Sequence, residues 1–274
     1  MAVTMADITK LRKMTGAGMM DCKNALNEAN GDFDGAMEII RKRGQAIAAK
    51  REDREASEGC VLAATKGDFA AIVALKCETD FVAQNKDFVA LTQSILDAAL
   101  ENKPADIEAL KALTIDGRSI ADLIVDRSGV TGEKMELGFY EFVQAPSTIF
   151  YIPPGNKLAT IVGFNLPEVE YQVARDVAMQ VAAMNPISVS RDEVPADVVA
   201  KELEIAKDKA RQEGKKEEML DKIAQGRLNK FYQEVCLLEQ AFVKDPKQTI
   251  QQYLHSSNKE LTAVACKRIT LNEE

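Results

Sequence analysis

The sequence predicts an α+β protein built from small units: an N-terminal three-helix module, two related subdomains of antiparallel sheet plus helices, and a projecting helical hairpin. Three observations predict this. Apolar residues recur at helical spacing through the first 45 residues. Between Cys60 and Met184 a strand–strand–helix order occurs twice, each copy suiting an antiparallel sheet covered by helices. From Pro195 the chain becomes highly charged and helical, with a single glycine break at Gly214. The expected boundaries are 1–55, 56–136, 137–190, 191–240 and 241–274.

In the first unit, Met5, Ile8 and Leu11 share one helical face, and Cys22, Ala25, Leu26 and Ala29 form the stripe of a second helix. Asn30-Gly31-Asp32 breaks the chain, after which Asp34 is expected to cap a third helix with Met37 and Ile40 inward, ended by Gly44. Three helices this short match a ubiquitin-associated-like module in size and are marginal alone. The connection Thr15-Gly16-Ala17-Gly18 lacks a preceding strand and a following Gly-Lys-Ser/Thr, so phosphate-cradle readings fail. Its glycines permit a tight turn. Met19 and Met20 beside it suit either partner contact or core.

Ala46–Glu58 reads as a linker or a helical extension. A hairpin follows, with strands Cys60–Thr65 and Ala70–Leu75 around the turn Lys66-Gly67-Asp68. Thr79–Asn85 then forms a loop before a helix carrying Phe88, Leu91, Ile95 and Ala98 on one face. Lys103–Met135 is expected to be helical, with turns at Gly117 and Gly129. The order recurs with strands Phe139–Val143 and Leu158–Phe164, then a helix with Val173, Val177, Val181 and Met184 aligned. The charged segment gives an αα-hairpin turning at Gly214, which either binds a partner or braces the fold. Asp245-Pro246 is expected to cap the last helix, and Leu261–Leu271 to return as a strand.

Composition narrows the chemistry. Apolar residues make up 46% and charged residues 28%, as in soluble globular proteins. No run approaches the ~20 apolar residues of a membrane span. The N-terminus lacks a basic start and an apolar core, so a cytoplasmic location is expected. The five cysteines are scattered without a Cys-x-x-Cys pair and read as reduced, mostly buried thiols. With His255 the one histidine, no zinc site and no Ser-His or Cys-His mechanism is expected. An enzyme using Cys22 or Cys77 would have no base nearby in sequence. The net charge of −8 argues against binding nucleic acid directly. It is uneven: residues 1–55 hold 10 Lys/Arg and 9 Asp/Glu, the remainder 25 and 34, which marks a compositional boundary.

The most informative stretch is Cys77-Glu78-Thr79-Asp80-Phe81-Val82-Ala83-Gln84-Asn85, where a carboxylate and a phenyl ring stand side by side after a strand. By itself it also reads as an N-cap followed by a core aromatic. Together with Leu11-Arg12-Lys13-Met14-Thr15-Gly16-Ala17-Gly18-Met19-Met20-Asp21-Cys22-Lys23-Asn24-Ala25-Leu26 and Leu237-Leu238-Glu239-Gln240-Ala241-Phe242-Val243-Lys244-Asp245, in that order along the chain, it resembles bacterial translation elongation factor Ts. The resemblance covers essentially the whole chain and is weakest between about Asn102 and Gly155.

The resemblance implies a nucleotide exchange factor for the GTPase elongation factor Tu, without covalent chemistry, cofactor or metal. It implies that Thr79, Asp80, Phe81 and Val82 enter the GTPase near its Mg²⁺ and phosphate loops. It also implies that Leu11, Arg12, Thr15, Gly16, Gly18, Met19, Met20 and Cys22 of the N-terminal module contact the same nucleotide domain. A homodimer or 2:2 complex stays open, and the alternative is a ubiquitin-associated-like adaptor without exchange activity. Two departures stand out: Tyr151-Ile152-Pro153-Pro154-Gly155 lacks the histidine common in that segment, and Ala241 replaces a usual proline.

Overall fold

The computed structural model describes residues 3–272, and the fold is α+β. The described chain forms two compact units. The first comprises the residues up to Leu62, Val73–Tyr140 and the end from Leu271; the second comprises Ala63–Ile72 and Glu141–Thr270.

The first unit opens with helices α1 (Met5–Thr15), α2 (Met19–Glu28) and α3 (Phe33–Lys50). Thr4 starts α1 with a reciprocal capping box to Asp7, and Gly16 ends it in the left-handed region at φ 72°. Ile8, Leu11, Ala17, Cys22, Ala25, Leu26 and Ala36 close the small core. The third helix departs from expectation at both ends. Asp32, not Asp34, is its cap, accepting the Gly35 N–H, and the helix runs through Gly44 to Lys50.

Strands β1 (Glu58–Lys66) and β2 (Phe69–Cys77) follow, joined at Gly67-Asp68 as expected. A single turn, α4 (Asp80–Ala83), leads into α5 (Lys86–Asn102), whose Phe88, Ile95, Leu96, Ala99 and Leu100 are buried. Next come α6 (Ile107–Ala112), the two-residue strands β3 (Thr114–Ile115) and β4 (Arg118–Ser119), and α7 (Ile120–Thr131). The turn expected at Gly117 is present at φ 81°. The one expected at Gly129 is not, because that residue is inside α7 and Gly132 ends the helix. β5 (Glu136–Gln144) pairs with β2 in a sheet of order β1-β2-β5. It therefore does not start a second strand–strand–helix copy.

The second unit has its own sheet, in which β6 (Ser147–Tyr151) and β10 (Ala263–Thr270) flank β7 (Leu158–Phe164), both antiparallel to it. The return of the tail as a strand is as expected. α8 (Tyr171–Met184) covers this sheet through Val173, Val177 and Val181. α9 (Ala196–Gln212) and α10 (Glu217–Val235) form the expected αα-hairpin around Gly214. Its seam is Ala206, Ala210, Leu220, Ala224 and Leu228, in which the two leucines pack among small alanines. The segment after it differs from expectation. β8 (Ala241–Phe242) pairs with β9 (Asp245–Thr249), so Asp245-Pro246 begins a strand, and Thr249 caps α11 (Ile250–Ser257) in a capping box with Gln252. His255 is exposed on α11. None of the described helices is long and apolar enough to cross a membrane.

Candidate functional site

Leaving β2, the chain meets Thr79 in extended backbone, and the Thr79 hydroxyl accepts the Val82 N–H at 3.4 Å. This is the N-cap half of the simpler sequence reading. The core-aromatic half fails. The single turn of α4 directs Ala83 inward and half-buries Val82, leaving Asp80 exposed and Phe81 84% exposed. A phenyl ring so bare is uncommon on a closed surface, since burying it would contribute about 2 kcal/mol or more.

The turn is braced from α7's far end. Glu133, just past the Gly132 cap, accepts the Thr79 hydroxyl at 2.6 Å on one carboxylate oxygen. Its other oxygen accepts the N–H groups of Glu78 and Thr79, each at 3.1 Å. Glu78 reciprocates by accepting the Lys134 N–H at 2.7 Å. The guanidinium groups of Arg51 and Arg54 approach Glu78 at 3.6 and 3.8 Å. Charge-assisted bonds of this kind hold a backbone more firmly than neutral ones. Glu133 was not legible in the sequence: 54 residues separate it from Thr79, and no motif marks it.

The N-terminal residues lie in the same unit but divide in two. Arg12, Gly16, Gly18, Met19 and Met20 are exposed, the methionines 43% and 65% so. Leu11 and Cys22 are wholly buried in the three-helix core. The helical stripe that builds the core claims both side chains, so neither is presented at the surface. They hold the edge from beneath. Thr15 is half-buried between the two sets. Its hydroxyl donates to the Leu11 carbonyl at 2.8 Å and accepts the Ala17 N–H at 3.2 Å, which fixes the turn.

The thiols are poorly suited to nucleophilic work. Burial raises Cys22 above its ordinary value. Burial pushes Cys77 up to about 12, with the Glu133 carboxylate adding to the effect. A thiol held protonated is unreactive at neutral pH.

Comparison with known proteins matches residues 78–273 to the family described as elongation factor TS. The chain is 62% identical over 275 residues to a Porphyromonas gingivalis protein named elongation factor Ts, each chain covered in full. A protein of the same name from Azobacteroides pseudotrichonymphae is 60% identical over 274 residues, again covering both chains entirely. One from Bacteroides thetaiotaomicron is 48% identical over 331 aligned residues, with full coverage of both. A family match over more than half of the chain, with full-length identity of 48–62% to these relatives, places this protein in the elongation factor Ts family of translation elongation factors.

Proposed function

We propose that the protein accelerates release of GDP, and its exchange for GTP, from the GTPase elongation factor Tu in the cytoplasm, with no covalent chemistry and no cofactor of its own. The observation that carries this reading is Phe81, exposed at the head of a turn that Glu133 holds by three hydrogen bonds. A wedge needs both properties, a side chain that gains from burial and a mount that does not yield. Phe81 enters a cleft in the GTPase near its Mg²⁺ and phosphate site, and Asp80 competes for the polar groups that support the ion. Thr79 and Val82 set the angle of entry. Arg12, Gly16, Gly18, Met19 and Met20 dock on the same domain, with Thr15 shaping that edge.

Such a factor binds the nucleotide-free GTPase better than the loaded form, and linkage weakens nucleotide binding by the same factor. For a thousandfold faster release, the interface must recover about 4 kcal/mol on the way to nucleotide loss. One buried phenyl ring and a few anchoring contacts supply that.

The test is stopped-flow release of a fluorescent GDP from the GTPase, with wild type and Phe81→Ala. Strong acceleration by wild type, largely lost in the variant, is the expected result. Acceleration undiminished in the variant would remove the wedge. Binding without acceleration by wild type would make the protein an adaptor.

A further inference from the structure

We infer that Arg127 is a positioning residue that sets the spacing between the exposed Gly16–Met20 edge and the Asp80–Phe81 turn. The inference rests on the proposed exchange reading for what the two patches do. The coupling itself rests on geometry.

Arg127 projects from α7, and its side chain is only 13% exposed. One guanidinium nitrogen donates to the Asn85 side-chain oxygen at 3.0 Å and lies 3.4 Å from the Asp87 carboxylate. Asn85 follows directly on the Phe81 turn: its N–H donates to the Val82 carbonyl at 3.0 Å, and its side chain caps α5. The other terminal nitrogen lies against Gly16, where a Cβ would come within 3.2 Å of it. One rigid, planar group thus bonds the cap that ends the Phe81 turn and stands beside the turn of the N-terminal module. Its Nε is buried with no acceptor among the described residues, which is a cost for a side chain serving stability alone.

The same helix makes the other two connections that matter. At Gly129 it crosses α3 at Gly44 with the backbones nearly touching. At its end, Glu133 grips Thr79. The rest of this junction is loosely filled. A cavity of about 500 Å³ separates Met14, Met37 and Ile40 from Leu91, Leu123 and Val130. Close packing is therefore confined to the Gly44–Gly129 crossing, and away from it a few specific contacts must define the angle of the three-helix module. Arg51 and Arg54 on Glu78 are polar contacts at the far end of α3. Arg127 is the one beside the Gly16 turn, and it is placed so that docking of one patch presents the other in register.

Lysine is the informative replacement. Its single ammonium can keep the bond to Asn85 or Asp87 but cannot also lie against Gly16. With Arg127→Lys, the maximal rate of GDP release at saturating exchange factor is expected to fall about tenfold, as for a misplaced group. The half-saturating concentration should change less, by about threefold at most, since both patches remain. Asn85→Ser preserves an N-cap but shortens the acceptor beyond Arg127's reach, so it should lower the maximal rate in the same direction. In the free protein, spin labels at Lys13→Cys and Gln84→Cys should give one narrow distance distribution, broadened by Arg127→Lys. Maximal rates within twofold of wild type for both variants, or a label distance unaffected by Arg127→Lys, would overturn the proposal. If Arg127→Lys does not fold, Arg127 is a stability residue unless folded Asn85→Ser shows both effects. If wild type fails to accelerate release, the exchange reading fails, and the label distances alone decide whether Arg127 positions the patches.

Discussion

Glu133 and Thr79 are joined twice, the Thr79 hydroxyl on one carboxylate oxygen at 2.6 Å and the Thr79 N–H on the other at 3.1 Å. The carboxylate oxygen that accepts the Thr79 N–H also takes the Glu78 N–H. This clamp, made across the fold, turns four residues of helix into a rigid mount for Phe81.

Removing the clamp should therefore cost function more than fold. Glu133→Ala is predicted to free the Glu78 and Thr79 amides, raising their hydrogen-exchange rates, and to lower GDP release about tenfold or more. Loss of charged hydrogen bonds at a half-buried site should cost about 1.5–3 kcal/mol of local stability. Unchanged exchange at both amides would refute the clamp.

The helix crossing makes a sharper stability prediction. A Cβ on Gly129 would overlap the Gly44 Cα, whereas a Cβ on Gly44 would sit 3.4 Å from the Gly129 Cα. Gly129→Ala is expected to destabilise the protein by about 1–3 kcal/mol in urea unfolding, as overpacking does. Gly44→Ala should cost less. Equal, negligible effects at both positions would mean the helices do not cross there.

Asp176 carries the acid-sensitive part of the second unit. Burial alone would raise its carboxyl, but bonds from Lys244, Tyr253 and Gln172 outweigh that and hold it below the ordinary 3.8. A lowered folded value stabilises above the unfolded pKa and loses that contribution as pH falls through the folded one. Asp176→Asn should thus be about 1–3 kcal/mol less stable than wild type at neutral pH, with the gap closing below the ordinary 3.8. A gap independent of pH would contradict the network.

The buried thiols predict the opposite limb. Burial raises Cys60 to about 11, and Cys77 and Cys266 to about 12, from an ordinary 9.0. Thiols so raised favour the folded state below the unfolded pKa, so stability should decline from about pH 9 upward as the unfolded chain ionises first. Iodoacetamide should modify the native protein slowly at neutral pH and the urea-unfolded protein fast. One rapidly alkylated thiol in the native state would revive a nucleophilic reading.

Much of the local structure was legible because neighbouring residues decide it. The β1–β2 turn at Gly67, the Thr79 cap and the hairpin break at Gly214 each rest on a residue whose conformation or side chain acts on its own backbone. Capping signals competed with one another, however. Asp245-Pro246 looked like a helix start, while the true cap, Thr249 with Gln252, lay just beyond. Gly44 and Gly129 looked like breaks when read alone. Each lies inside a helix where the two helices cross, and the close approach of the backbones leaves no room for a side chain at Gly129 and little at Gly44.

By itself the sequence determined the α+β class, the family resemblance and the stretch that bears Phe81, because composition, periodicity and motif order are properties of the chain. Tertiary structure alone decided which of those residues are exposed. It buried Leu11 and Cys22, left Phe81 bare, and brought Glu133 and Arg127 to Thr79 and Asn85 across 54 and 42 residues of sequence. Contacts at such separation follow from how helices and strands pack, and packing leaves no local pattern to read.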